Sequence, residues 1–199
     1  MKLLTLLTSI VFISISSQSQ DIPNQATDIA PLLIGESVPA IELADISGKS
    51  VSLNELISRK QTVLVFYRGG WCPYCNTHLS ELQSIEEKIL GAGYQIVAVS
   101  PDSPGNLKES VDKNKLKYTL LSDSKTNGCR AFGLAFKAPE KYGDLLARSS
   151  ENLNKNILPV PAVFVLNKQG EILFEFINPD YKKRLKGSLL LAVLNELKE

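Results

Sequence analysis

Two cysteines set two residues apart, Cys72 and Cys75 in Trp71-Cys72-Pro73-Tyr74-Cys75, are the side chains of this sequence best suited to chemistry. Thiols at that spacing can close a disulfide and reopen it, so the pair can cycle between two redox states. They follow a β-branched and aromatic run, Thr62 to Tyr67, and they open a segment of helical periodicity. A sulfur near a helix N-terminus meets free N–H groups and the positive end of the dipole, which favour thiolate over thiol. Pro73 suits the first helical position, where its missing N–H has no partner to lose and its φ matches the first turn. Two other uses of these residues stand beside redox catalysis: a structural disulfide, or a Cys3His zinc site drawn from Cys72, Cys75, His78 and Cys129. Structural zinc usually takes ligand pairs on turns, whereas this pair begins a long helix. His78 reads as a solvated helix residue, and Cys129, in Gly128-Cys129-Arg130, as a small buried hydrophobe.

The elements that must position the pair are legible on either side of it. Pro39 to Ala44 alternates as a strand, and Ser52 with Glu55 has capping-box spacing for a short helix. Thr62 to Tyr67 has the continuous apolar character of a central strand buried on both faces. From Pro73, Leu79, Leu82, Ile85 and Ile89 recur at helical spacing until Gly91 and Gly93. Tyr94 to Ser100 reads as a strand, Ser103 to Lys113 as a helix and Lys117 to Leu121 as a third strand. Strands that alternate with helices imply parallel pairing with right-handed crossovers, hence an α/β layer structure. Two strands, Ala162 to Leu166 and Glu171 to Ile177, then join through Asn167-Lys168-Gln169-Gly170. A closing helix follows, with Leu185, Leu189, Val193 and Leu197 on one face. A β-α-β-α-β half followed by a β-β-α half is the thioredoxin-like arrangement: a central mixed sheet flanked by helices. Residues 134–157 read as a helical insertion, rich in Lys, Glu and Ser, before the last two strands. In Leu158-Pro159-Val160-Pro161, Pro161 precedes a strand and is a candidate cis-proline that turns the backbone of Val160 toward the sulfurs.

The run Val65-Phe66-Tyr67-Arg68-Gly69-Gly70-Trp71-Cys72-Pro73-Tyr74-Cys75-Asn76 closely resembles the peroxiredoxin-like branch of the AhpC/TSA family, with further likeness in Ser122-Asp123 and Phe132-Gly133. That resemblance implies a thioredoxin fold and thiol-dependent antioxidant chemistry, most readily the reduction of hydroperoxides. Peroxiredoxins carry Pro-x-x-x-Thr-x-x-Cys, and in that register Cys75 takes the attacking position. Arg68 then stands in place of the Pro and Cys72 in place of the Thr. The family also has an Arg just ahead of the later strand; Pro161 occupies about that place here, which leaves Arg68 as the candidate for the positive charge. Cys-Pro-Tyr-Cys is also typical of glutaredoxins, so thioredoxin- or glutaredoxin-like disulfide exchange, with Cys72 attacking, stays open beside the peroxidase. Arg68, Trp71, Pro73, Tyr74, Val160 and Pro161 are the expected substrate-binding or supporting residues around the pair.

Composition agrees with one enzyme-sized domain. The 199 residues are 44% hydrophobic, and 22 Lys and Arg stand against 21 Asp and Glu without a long run of either sign, so a nucleic-acid partner is not expected. Lys2, the apolar stretch Leu3 to Ile15 and the small polar segment Ser16 to Gln20 have the layout of a secretory signal peptide. The run is well short of the roughly 20 residues a spanning helix needs, so stable membrane insertion is not expected once the signal is removed. The expected division is a signal peptide at 1–20, a linker or irregular arm at 21–35 and a thioredoxin-like redoxin domain at 36–199, in a periplasmic or secreted protein. Two thiols carry both electrons, so no metal, haem, flavin or nicotinamide cofactor is required. The expected partners are a hydroperoxide or a protein disulfide as substrate and a thioredoxin-like dithiol protein as electron donor.

Overall fold

A computed structural model describes residues 21–197, and the signal-peptide reading lies outside the described residues. Its frame is set by runs of residues that bury both faces of a strand. β3 (Gln61–Phe66) and β4 (Tyr94–Ser100) pair in parallel, and β5 (Thr119–Ser122) continues the parallel set beyond β4. On the other side of β3, β8 (Ala162–Leu166) and β9 (Ile172–Ile177) add as antiparallel strands, and β1 (Glu42–Ala44) and β2 (Ser50–Ser52) extend the opposite edge. Among the described residues the sheet has seven strands in the order β2-β1-β5-β4-β3-β8-β9. This is the mixed sheet of a thioredoxin-like fold.

Because side chains alternate along a strand, the sheet separates two cores. Val63 and Val65 of β3, with Tyr67 just after it, face one layer, where α2 (Pro73–Gly91), α3 (Pro104–Asn114) and α6 (Gly187–Glu196) contribute Leu79, Leu82, Leu107, Leu190 and Leu194. Leu64 and Phe66 face the other, against Leu53 and Ile57 of α1 (Leu53–Arg59) and Cys129 of α4 (Asn127–Ala131). The helix starts follow the expected capping chemistry. Ser52 accepts from the N–H of Glu55, and Ser103 accepts from that of Asn106 ahead of Pro104.

Three features depart from the sequence expectations. The closing helix buries Leu190 and Leu194 most deeply and leaves Leu189 about half exposed, while Leu185, Val193 and Leu197 of the expected face do pack against the core, so the inner face is broader than expected and Leu189 lies off it. The run Leu189-Leu190-Leu191-Ala192-Val193-Leu194 is apolar nearly all round and permits several phases; a Glu81 carboxylate that accepts from the Gly187 N–H at 2.7 Å ties the first turn to α2 and selects one. The segment 134–157 does carry a helix, α5 (Gly143–Ser149), but it also contributes β6 (Ala135–Lys137), which pairs antiparallel with β7 (Ile157–Pro159) in a separate two-stranded ladder. The third departure is at Pro161, where the described residues contain no cis peptide bond. Val160 instead links β7 to β8, with its N–H donated to the Leu134 carbonyl at 2.9 Å, so that N–H is not presented to the sulfurs.

Residues 21–35 cross the body as an irregular arm with one 3-10 turn at Ala26–Asp28. Leu32 donates to the Phe132 carbonyl, and Pro23 accepts from Lys137. The arm passes so close to Gly133, which has φ +66, that a Cβ there would lie 1.9 Å from the Ala30 carbonyl oxygen; only glycine fits. Among the described residues no helix is long and apolar enough to cross a membrane.

Candidate active site

β3 ends at Phe66, and the turn from Tyr67 to Trp71 delivers the chain to α2 with Cys72 as its N-cap, Pro73 as its first helical residue and Cys75 in its first turn. The Cys72 carbonyl accepts from the N–H groups of Cys75 and Asn76, both at 3.1 Å, and the Cys72 N–H donates to Gly69. Gly69 has φ +143, and a Cβ on it would meet Trp71 Nε1 at 2.3 Å and Asp102 Oδ1 at 2.8 Å, so this turn depends on glycine. Buried Asp102, just after β4, fixes the same turn by accepting from the Gly70 N–H at 2.7 Å. Burial raises its carboxyl to about 6, against the lowering effect of the hydrogen bonds it accepts.

The two thiols are free, adjacent and held in different electrostatic states. Cys72 is lowered to about 6, first by a hydrogen bond from Cys75 and then by the charges of Arg68 and Arg184, which together outweigh its burial. Cys75 lies deeper and is pushed well up, by burial and by its hydrogen bond and charge interaction with Cys72. The surroundings thus favour the thiolate at Cys72, and burial favours the thiol at Cys75.

Two guanidinium groups reach the sulfurs from different parts of the chain. Arg68 Nη1 lies 3.8 Å from Cys72 Sγ, and Arg184 Nη2 lies 3.5 Å from Cys75 Sγ. Arg68 is buried, with its guanidinium carbon 5.0 Å from the ring centroid of Trp71, 4.9 Å from that of Tyr142 and 4.1 Å from that of Tyr181. Tyr181 packs edge-on against the half-exposed Tyr74 at 5.7 Å, and its carbonyl accepts from Arg184 Nη1. A mostly apolar pocket of ≈ 230 Å³ opens beside Arg68, lined also by Tyr142, Tyr181, Val160 and Pro161.

The structure brings Arg68, Trp71, Cys72, Pro73, Tyr74 and Cys75 together, with Val160 and Pro161 in the adjoining pocket wall. His78 is a correction: it is buried rather than solvated, because the step of three from Cys75 puts it on the inner face of α2. Burial and the nearby Arg184 charge lower its imidazole to about 4, so it is neutral at physiological pH, and among the described residues its Nε2 has no hydrogen-bond partner. Cys129 lies in the core on the opposite face of the sheet, with its thiol pushed well up by burial, so the four donors considered for zinc do not converge. No cluster of His, Cys, Asp or Glu able to hold a metal occurs among the described residues. Sequence reasoning missed Arg184, Tyr142, Tyr181 and Asp102. Arg184 lies 109 residues from Cys75 in a Lys-rich loop and Tyr142 in the insertion, with no local pattern to mark them.

The AhpC/TSA family model matches residues 34–174 of the chain. A putative peroxiredoxin bcp of Haemophilus influenzae is 31% identical over 148 residues, which is 73% of this chain and 86% of that protein. The chloroplastic peroxiredoxin Q of Gentiana triflora is 33% identical over 122 residues, 61% of this chain and 54% of that one. Among solved structures, reduced Prx3 from Vibrio vulnificus in complex with hydrogen peroxide superposes with a TM-score of 0.71 at 17% identity, covering 82% of this chain and 99% of that chain. Peroxiredoxin Q of Xanthomonas campestris gives 0.64 at 21% identity, covering 86% and 99%. These two likenesses concern the fold.

Proposed function

Since the chain belongs to the AhpC/TSA family and is a thiol peroxidase of its peroxiredoxin branch, we propose that Cys72 is the sulfur that attacks the hydroperoxide and Cys75 the one that resolves it. The observation that carries this reading is the placement of Cys72 at the N-cap of α2 with Arg68 Nη1 3.8 Å from its sulfur, an environment that lowers its thiol, while burial pushes that of Cys75 up. The thiolate is the nucleophile, and the site favours that form at Cys72. The family register favours Cys75 instead. The register fixes a position in the helix, whereas the charge follows the hydrogen bond and the guanidinium groups around it.

In the first step the Cys72 thiolate attacks the distal oxygen of the O–O bond. That bond breaks, the alkoxide leaves as an alcohol after taking up a proton, and Cys72 becomes a sulfenic acid. Arg68, at 3.8 Å from Cys72 Sγ, is suited to orient the peroxide and to stabilise the charge leaving on its oxygen. In the second step Cys75 displaces water from the sulfenic acid and the Cys72–Cys75 disulfide forms. Their positions at the N-cap and in the first turn of one helix favour closure without unfolding α2. A dithiol protein of thioredoxin-like chemistry then returns two electrons, docking over the rim formed by Trp71 and Tyr74. The signal-peptide layout of residues 1–20 supports a periplasmic or secreted site of action, where that donor must also be found.

Stopped-flow mixing of the reduced protein with one equivalent of hydroperoxide tests the reading. One Cys72–Cys75 disulfide per peroxide consumed is the expected stoichiometry. Rapid reduction of protein disulfides without peroxide turnover would show disulfide exchange to be the activity. Cell fractionation tests the location: a processed periplasmic form is expected, and a cytosolic protein with its first residues intact contradicts export.

A further inference from the structure

The segment 134–157 has a fixed place against the site. Ser103 donates its N–H to the Ser149 carbonyl at 2.7 Å, and Asn106 Nδ2 donates to the same oxygen at 2.9 Å, which ties the end of α5 to the start of α3. At the other end of α5, Tyr142 stacks on Trp71 with 5.6 Å between ring centroids and covers Arg68. Tyr181 approaches the same guanidinium from the loop before α6. Among the described residues, the hydrogen-bond and cation–π partners of the Arg68 guanidinium are the Cys72 sulfur and the three rings.

This arrangement solves a physical problem. A buried guanidinium beside a thiolate strengthens it, but a carboxylate placed to anchor that guanidinium would compete for it and repel the sulfur's charge. Aromatic faces attract a cation through their quadrupole without carrying a net charge. Rings can therefore immobilise Arg68 and leave its field directed at the sulfur.

We propose that Tyr142 and Tyr181 are positioning residues that clamp the Arg68 guanidinium over Cys72, and that supplying one jaw of this clamp is the role of the 134–157 segment. The inference deepens the assignment of Cys72 as the attacking sulfur and rests on it. Tyr181 serves both sulfurs, since its ring holds Arg68 while its carbonyl accepts from Arg184, the partner of Cys75. Tyr142 also packs on Trp71 and has Lys141 Nζ 5.3 Å from its ring centroid, but among the described residues it makes no hydrogen bond or ring contact with Arg184, so it perturbs the Arg68 side alone.

The test is the pH dependence of Cys72 alkylation in reduced Tyr142→Leu and Tyr142→Phe. Tyr142→Phe keeps the ring and should retain the wild-type midpoint. Tyr142→Leu frees one side of the guanidinium and should raise the midpoint by about one pH unit, a tenfold change in the thiolate-to-thiol ratio. The plateau rate above the midpoint should be undiminished, because a higher-pKa thiolate is intrinsically the better nucleophile. A general loosening of the fold would lower the plateau without moving the midpoint, and that result overturns the proposal. So does a Tyr142→Leu midpoint equal to that of the wild type. If Tyr142→Leu fails to fold, Arg68→Lys decides. It keeps the charge but not the planar group that stacks, so a raised midpoint supports the clamp and an unchanged one refutes it. Alkylation needs no peroxide, so a failure here is distinguishable from a failure of the peroxidase assignment.

Discussion

Replacing Cys75 with alanine removes the hydrogen bond that heads the causes lowering Cys72, and replacing it with serine keeps a donor in the same place. A hydrogen bond to a charged group contributes about 1.5 to 3 kcal/mol, which corresponds to about 1 to 2 pH units. The Cys72 midpoint, about 6 in the native pair, should therefore rise to about 7 to 8 in Cys75→Ala and stay near the native value in Cys75→Ser. Arg68 and Arg184 remain in the variant, so the midpoint should not return fully to the ordinary 9.0. A rate taken at one pH hides much of this, because the thiolate grows more nucleophilic as its pKa rises. The full profile of alkylation rate between pH 4 and 10, read by mass spectrometry of the Cys72 peptide, separates the two effects. Equal midpoints for the alanine and serine variants would refute the claim that a thiol donor holds the charge on Cys72.

Three further outcomes follow from groups around the pair. Asp102 is raised from 3.8 to about 6, so the folded protein prefers it protonated; the cost of ionising it begins above the unfolded value and is complete above about 6. Asp102→Asn, which keeps an acceptor for the Gly70 N–H, should therefore raise stability at pH 7.5 by about 2 to 3 kcal/mol and leave it unchanged near pH 3.5 in urea titrations. Gly69→Ala puts a Cβ into Trp71 and Asp102 at φ +143 and should cost about 1 to 3 kcal/mol, visible as a lower thermal midpoint. Cys129→Ala should leave peroxide turnover and the Cys72–Cys75 disulfide unchanged in a coupled peroxidase assay, since that thiol lies across the sheet and is kept protonated by burial.

The order of strands and helices was legible because the governing signals are local. β3 and β4 are apolar runs of strand length, and Ser52, Ser103 and Pro104 cap helices in the expected way. The Cys72–Cys75 pair belonged to that class, since its position depends only on where β3 ends and α2 begins. Arg184 did not, because a loop before α6 reaches Cys75 only through the antiparallel return of β8 and β9. Pro161 suggested a cis bond by its place before a strand, but no cis bond occurs among the described residues, and the Val160 N–H is taken up by the Leu134 carbonyl beside the β6–β7 ladder. The burial of His78 could have been read from the helix itself, because Cys75, His78, Leu79 and Leu82 share one face at steps of three and four.

The most direct measurement is the site of sulfenic acid formation after one equivalent of hydroperoxide, trapped with a sulfenic-selective reagent and mapped in Cys75→Ser and Cys72→Ser. The account predicts a trapped sulfenic acid on Cys72 in Cys75→Ser, formed at close to the wild-type rate of peroxide loss, and a slow, poorly modified Cys75 in Cys72→Ser. Rapid sulfenic acid formation on Cys75 in Cys72→Ser, with Cys72 unmodified in Cys75→Ser, would contradict it and return the attacking role to the position given by the family register.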